Sequence, residues 1–281
     1  MMINKDSLKA RANNFNAKFD VPHNSIYERF FFDAFLSRMA VSPYKDKLVL
    51  KGGLYLSSLL GIDLRHTVDV DFYLKNLAIE RETIIKIITE ILSIDIHDGI
   101  VFKYVKATKI RPEDEYGGFQ IVVLAKLEKV RYEFGIDIAT GDPIIPSERN
   151  YDYKCLLTGE TLQLKAYSLE SVVSEKIETV FAKKVSNSRS KDYYDLYILR
   201  KTQIEMIDIN FLRKAFKETC KYRNFIIDKS EALQCLDDIE ASETILFRWK
   251  VFARKNKYAS DLDFKDVMKT IREWANDIFD E

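Results

Sequence analysis

The chain is poor in the residues on which much enzyme chemistry depends. Its 281 residues include three histidines and three cysteines. Cys155, Cys220 and Cys235 lie far apart and form no C-x-x-C pair, which argues against structural zinc and fits a reducing compartment. His23, His66 and His97 are too few to suggest a histidine metal centre or a catalytic triad. Only nine glycines and five prolines accompany a hydrophobic content of 47%, the composition of a compact globular protein rather than a disordered one. No apolar run approaches the length that spans a bilayer, and Met1 to Lys9 lacks the apolar segment of a signal peptide. These absences predict a cytoplasmic protein without membrane contact, whose chemistry runs on carboxylates, lysine and a metal.

An excess of one charge sign is also missing, with 44 basic and 44 acidic residues. The balance is uneven along the chain. Lys183 to Arg223 holds 11 basic and 5 acidic residues, and Arg248 to Lys257 holds 5 basic and none acidic, whereas Asp228 to Glu243 and the tail from Asp261 are acidic. Basic stripes on a neutral protein can hold a polyanion locally, although the same stripes also occur as solvated helix faces.

The most informative segment is Lys51-Gly52-Gly53, followed sixteen residues after Gly53 by Asp69-Val70-Asp71. It reads as a strand end, a Gly-Gly turn, a short helix from Leu54 to Leu60 and a second strand. Side chains alternate across a strand, so Asp69 and Asp71 point one way while Val68, Val70 and Phe72 point the other. Two carboxylates this close call for a cation, and all-oxygen ligation suits Mg²⁺ or Mn²⁺ completed by substrate phosphates. The Gly pair lets backbone N–H groups approach a triphosphate just ahead of a helix N-terminus. This order matches a polymerase-β-like nucleotidyltransferase palm. A Gly turn before an edge strand with solvated acids is the plainer alternative.

Residues 4–20 and Ser25 to Met39 read as helices, the second with Ile26, Phe30, Phe31, Ala34, Phe35 and Met39 on one side. Glu80 to Leu92 reads as another. The period then changes: Val101 to Ile110, Gly118 to Leu127 and Lys129 to Ala139 read as strands. The last carries Val130, Tyr132, Phe134, Ile136 and Ile138 on one face, and Arg131, Glu133, Gly135 and Asp137 on the other. Asp137 stands where a third metal or base carboxylate of a palm would stand, or it simply ends the strand. From Tyr167 onwards only helices are expected. The fold class is therefore α+β: a mixed-sheet palm with helices over residues 1–150, then a helical bundle over 151–281 that completes the active-site cleft. The boundary is expected in Ile145 to Gln163, a stretch that reads as a loop.

Leu169 to Lys184 is an amphipathic helix with a Ser168 cap, and Leu169, Val172, Val173, Ile177, Val180 and Phe181 form its apolar arc. Lys176 falls inside that arc, so it snorkels, meets a carboxylate or faces a ligand. Arg189 to Leu196 opens the next helix. Asp192 shares a face with Leu196 and Leu199 and could pair with Lys176, whereas the helix dipole accounts for Asp195.

Lys51-Gly52-Gly53, Arg65-His66-Thr67-Val68-Asp69-Val70-Asp71-Phe72, Glu175-Lys176 and Arg189-Ser190-Lys191-Asp192-Tyr193-Tyr194-Asp195-Leu196 closely resemble the AbiEii/AbiGii toxin family. The resemblance covers roughly residues 25–200. It implies a nucleotidyltransferase-like toxin of type IV toxin–antitoxin and abortive phage-infection systems, a family whose relatives add nucleotides to tRNA 3′ ends. Gly52 and Gly53 would form the phosphate turn, with Lys51, Arg65 and Thr67 as further nucleotide-binding residues. Asp69 and Asp71 would bind the metal. Lys176 and Asp192 would be the lysine and acid of the later motifs, with Asp195 as the alternative acid. Gly-Gly replaces the usual Gly-Ser, so a serine contact to phosphate is missing and a backbone N–H could replace it.

The expected activity is Mg-dependent transfer of a nucleotide from an NTP, GTP or a pyrimidine triphosphate among the candidates, to an RNA 3′ end. A cognate antitoxin need not bind the toxin. Lys183, Lys184, Arg189, Lys191, Arg254, Lys255 and Lys257 are the candidate RNA contacts, with Arg248 as a further outward cation. Trp249 and Phe252 group with Ala253 and suit burial. Two other readings stay open: transfer to a small molecule, as in aminoglycoside nucleotidyltransferases, and a nucleotide-binding protein with little catalysis.

Overall fold

The computed structural model describes residues 3–67, 69–77, 79–110 and 117–280; Val68, expected to face away from the two aspartates, lies outside them. The chain divides into two compact units, Met1–Gly141 with Arg149–Ala166, and Asp142–Glu148 with Tyr167–Glu281.

The first unit contains helices α1 (Lys5–Phe19), α2 (His23–Val41), α3 (Gly52–Leu60) and α4 (Arg81–Leu92). Its strands are β1 (Leu48–Lys51), β2 (Asp69–Leu74), β3 (Ile100–Ile110), β4 (Gly118–Leu127), β5 (Val130–Ala139), β6 (Arg149–Lys154) and β7 (Thr161–Ala166). They form one mixed sheet in the order β3-β4-β5-β2-β1-β7-β6. β2 runs parallel to β5 and β1 parallel to β7, while the other pairs are antiparallel. β2 buries Val70, Phe72 and Leu74 and leaves Asp69, Asp71 and Tyr73 half-buried on its other face. β5 likewise buries Phe134, Ile136 and Ile138.

Two expectations are corrected in this unit. The stretch 145–163 is not a loop, because β6 and the first half of β7 lie in it, and a boundary at residue 150 would cut β6. β6 is an edge strand, and its sequence Arg-Asn-Tyr-Asp-Tyr-Lys buries only Tyr153. A strand with so little apolar alternation gives almost no period-2 signal. Helix α2 is buried well beyond one side: Phe32 and Leu36 are enclosed with the expected residues, and so are Arg29, Asp33 and Arg38. Those charges are tolerated because they are paired. Arg29 Nε donates to Asp33 Oδ1 at 3.1 Å, Tyr153 OH donates to the same oxygen at 2.5 Å, and Arg38 forks onto Asp98 through two 2.8 Å bonds.

The second unit is helical, as its sequence pattern predicts: α5 (Leu169–Lys183), α6 (Ser190–Gln203), α7 (Ile209–Tyr222), α8 (Lys229–Ala241), α9 (Glu243–Lys255) and α10 (Phe264–Phe279). Ser168 caps α5 by accepting from Ser171 N, and Asp228 with Glu231 forms a capping box on α8. The core gathers Phe181, Tyr193, Tyr194, Leu196 and Trp274, whose indole N–H donates to Leu196 O at 3.0 Å. Among the described residues, no helix is long and apolar enough to cross a membrane.

Candidate active site

Strand pairing gathers the acids of the first unit into one line. Lys51 on β1 is the cross-strand partner of Asp71 on β2, Asp71 is the partner of Asp137 on β5, and Asp137 is the partner of Gln120 on β4. Cross-strand partners share a face, so these four residues form a row across four neighbouring strands. Asp69 lies two residues along from Asp71 on the same face, opposite Gly135. The even spacing in β2 and β5 thus brings together Asp69, Asp71 and Asp137. Gln120 Nε2 donates to Asp137 Oδ1 at 2.9 Å.

The glycine turn stands against this row. Gly52 opens α3 in the left-handed region with φ +65°, and a Cβ there would lie 2.0 Å from Asp71 Oδ2. No side chain fits. The Gly53 N–H, expected to face a phosphate, donates to Asp71 Oδ2 at 3.2 Å. A Cβ on Gly53 would lie 2.3 Å from Thr67 Oγ1 and 3.7 Å from Arg65 Nη2. The Thr67 hydroxyl therefore fills the space into which the serine of a Gly-Ser turn would project. Arg65 is buried beside the turn, where its Nη1 donates to His66 O, and burial followed by the Arg65 charge lowers the His66 pKa.

Glu28 on α2 is a neighbour that sequence reasoning missed. Burial raises its carboxyl, the hydrogen bond with Tyr132 lowers it, and the Asp69 charge raises it. Tyr132 is pushed up by burial, then by Glu28 and Asp69. Negative charge thus accumulates around Asp69, an environment that favours a cation. No local motif marks Glu28, which reaches the site through the tertiary packing of α2.

In the second unit, Lys176 Nζ donates to Asp192 Oδ1 at 2.8 Å and to Asp195 Oδ2 at 2.7 Å, and Arg189 Nε donates to Asp192 Oδ2 at 2.6 Å. Both aspartates are buried, at 1% and 0% exposure. Burial alone would raise the Asp192 carboxyl, but Lys176 and then Arg189 outweigh it and hold the pKa at about 2. Burial works against the Lys176 ammonium too, yet Asp192 and Asp195 keep its pKa above the ordinary lysine value. Lys176 is therefore not a snorkelling residue. Asp195 does more than answer a helix dipole: it takes half of the lysine's pairing.

The sequence profile of the family described as the nucleotidyl transferase AbiEii toxin of a type IV toxin–antitoxin system matches residues 34–273. The chain belongs to the AbiEii family. It is a nucleotidyltransferase toxin of a type IV toxin–antitoxin system, a class that implies a nucleotide substrate and a cognate antitoxin. No curated protein matches it. Two crystal structures from Helicobacter pylori, one described provisionally as a nucleotidyltransferase and one named JHP933, are each 17% identical to it over 92% of its length. The match covers 96% and 93% of those chains, with a TM-score of 0.48 in both cases.

For an AbiEii toxin the donor set near the glycine turn suits a hard cation, since Asp69 and Asp71 present oxygen only and share a face. Among the described residues, no group of three or more His, Cys, Asp or Glu side chains is arranged to hold a metal. Mg²⁺ is ordinarily bound by one or two carboxylates with substrate phosphates completing its shell. Lys183, Lys184, Lys191, Arg254, Lys255 and Lys257 are exposed, and Arg189 is partly committed to Asp192. Arg248 is not an outward cation: its Nη1 donates to Ser186 O at 3.2 Å and Asn187 O at 3.0 Å, closing the turn after α5. Trp249 is buried and Phe252 packs on it, while Phe247 is 67% exposed.

Proposed function

We propose that this AbiEii toxin transfers a nucleotide from a nucleoside triphosphate to the 3′ end of an RNA, with tRNA as the acceptor class. The observation that carries the reading is the row Lys51–Asp71–Asp137 beside a glycine turn whose Gly53 N–H holds Asp71. In the reaction the acceptor hydroxyl oxygen forms a bond to the α-phosphorus, the bond from that phosphorus to the bridging oxygen breaks, and pyrophosphate leaves. Asp137 is assigned the hydroxyl proton, as the half-buried carboxylate next to Asp71 in the row. Asp69 and Asp71 would hold Mg²⁺ or Mn²⁺, which when bound stabilises charge on the attacking and leaving oxygens. Gly53 N–H orients Asp71, Gly52 leaves the approach open, and Lys51 with Arg65 adds positive charge for the triphosphate. Thr67 is assigned the hydroxyl contact that a Gly-Ser turn would supply. Lys176 and Asp192 are proposed as the lysine and acid of the later motifs.

The exposed cations of α6, α9 and the segment between α5 and α6 favour a polyanionic acceptor over a small molecule, which needs no cationic track. The antitoxin of this reading need not dock on the toxin. The test is to incubate the protein with each α-labelled NTP, Mg²⁺ and total RNA. Label at RNA 3′ ends with pyrophosphate release is expected, and the labelled species identifies base preference and acceptor. Labelled aminoglycoside with unlabelled RNA would favour the small-molecule reading, and tight NTP binding without pyrophosphate would favour a binding protein.

A further inference from the structure

Gln120 lies outside every motif, yet its side chain is committed to the row of acids. It sits on β4 as the direct cross-strand partner of Asp137, with its Nε2 2.9 Å from Asp137 Oδ1. The side chain reaches that oxygen by lying along Gly135, two residues before Asp137. A Cβ on Gly135 would come within 3.2 Å of Gln120 Nε2, 3.3 Å of its Cδ and 3.4 Å of its Cγ. These are tighter than ordinary van der Waals contacts. Gly135 has no positive φ to explain it, so the missing side chain serves space rather than backbone conformation.

We infer that Gln120 is a positioning residue that locks the Asp137 carboxylate against the sheet, and that Gly135 is glycine so that the Gln120 amide can reach it. An amide N–H on one carboxylate oxygen fixes the carboxylate's rotation and favours its ionised form. A carboxylate so held has its second oxygen set in one direction as well. Outer partners of this kind are worth about 10–100-fold in activity where they have been removed from other sites. In this role Gln120 acts through Asp137.

The inference rests on the assignment of Asp137 above, and the test separates the two. Transfer of α-labelled NTP to total RNA is measured for wild type, Gln120→Ala, Gly135→Ala, the double variant and Asp137→Asn, together with melting midpoints. Gln120→Ala should lower kcat about tenfold, with the KM for NTP and the melting midpoint close to wild type. Gly135→Ala should lower kcat by displacing the amide, yet cost nothing further in the Gln120→Ala background, where the shortened side chain leaves room for it. A kcat unchanged by Gln120→Ala while Asp137→Asn is inactive would overturn the inference and leave the assignment of Asp137 standing. So would additive losses in the double variant, which would mean the two residues act separately. Full activity in Asp137→Asn, or no labelling of RNA by wild type with any NTP, would overturn the reading of the site and this inference with it.

Discussion

Gly52 and Gly53 act through the space they leave. At Gly52 both backbone and contacts forbid a side chain, since φ is +65° and a Cβ would lie 2.0 Å from Asp71 Oδ2. Gly52→Ala should therefore abolish growth arrest, with a stability loss of at least about 1–2 kcal/mol from the left-handed backbone. Gly53→Ser should inactivate because it collides with Thr67, and Gly53→Ser with Thr67→Gly should recover part of the activity; a fully active single variant would show that Thr67 yields freely. Asp71→Ala removes one acid from a like-charged neighbourhood and should leave the melting midpoint unchanged or raised while activity disappears. Lys176 behaves differently. Lys176→Met leaves Asp195 buried without its lysine and should destabilise the fold by about 3–5 kcal/mol. The triple change Lys176→Met, Asp192→Asn, Asp195→Asn removes the stranded charges and should restore the melting midpoint. If activity also returns, the cluster is structural only; a folded but inactive protein supports its place in the chemistry. The Asp192 pKa is depressed to about 2 from an ordinary 3.8, so its stabilisation is complete above the ordinary value and is lost as pH falls from there towards 2. The melting midpoint of wild type should hold down to that range and then drop.

At the scale of elements, helix α4, the Asp-x-Asp strand and its partner β5 were legible from apolar period alone, because each has one buried face of clear spacing. β6 was not, since an edge strand that buries only Tyr153 carries little such signal. The line from Asp71 to Asp137 was only half visible, because strand patterns assign faces but not which parallel strand lies beside which. Gln120 could have been found. The two-residue turn at Glu128 and Lys129, with Glu128 at φ 52°, pairs Leu127 with Val130 and so sets Gln120 opposite Asp137. Glu28 could not, since α2 meets the site only through packing. Helix α9 shows both outcomes in one element: Trp249 is enclosed as its spacing predicts, Arg248 turns inward onto carbonyls, and Arg254 and Lys255 face outwards. Reversing Arg254, Lys255 and the neighbouring Lys257 to glutamate should weaken RNA binding at low salt and flatten its salt dependence while leaving NTP binding intact. RNA affinity equal to wild type in a filter-binding titration would reduce this stripe to a solvated face.

At the scale of the whole molecule, membership of the AbiEii family makes the chain a toxin with a nucleotidyltransferase lineage, and the row on the first unit's sheet is where that chemistry is assigned. The helical unit contributes a buried lysine–aspartate network and exposed cations, so the account asks for two separable behaviours: nucleotide transfer that depends on the sheet, and salt-sensitive RNA binding that depends on the helices. The most direct measurement is label transfer from α-labelled NTP to RNA 3′ ends by wild type and Asp71→Ala at matched protein concentration, with folding checked by melting. Labelled RNA from wild type and none from a fully folded Asp71→Ala is the predicted result. Equal labelling by both proteins would contradict the account.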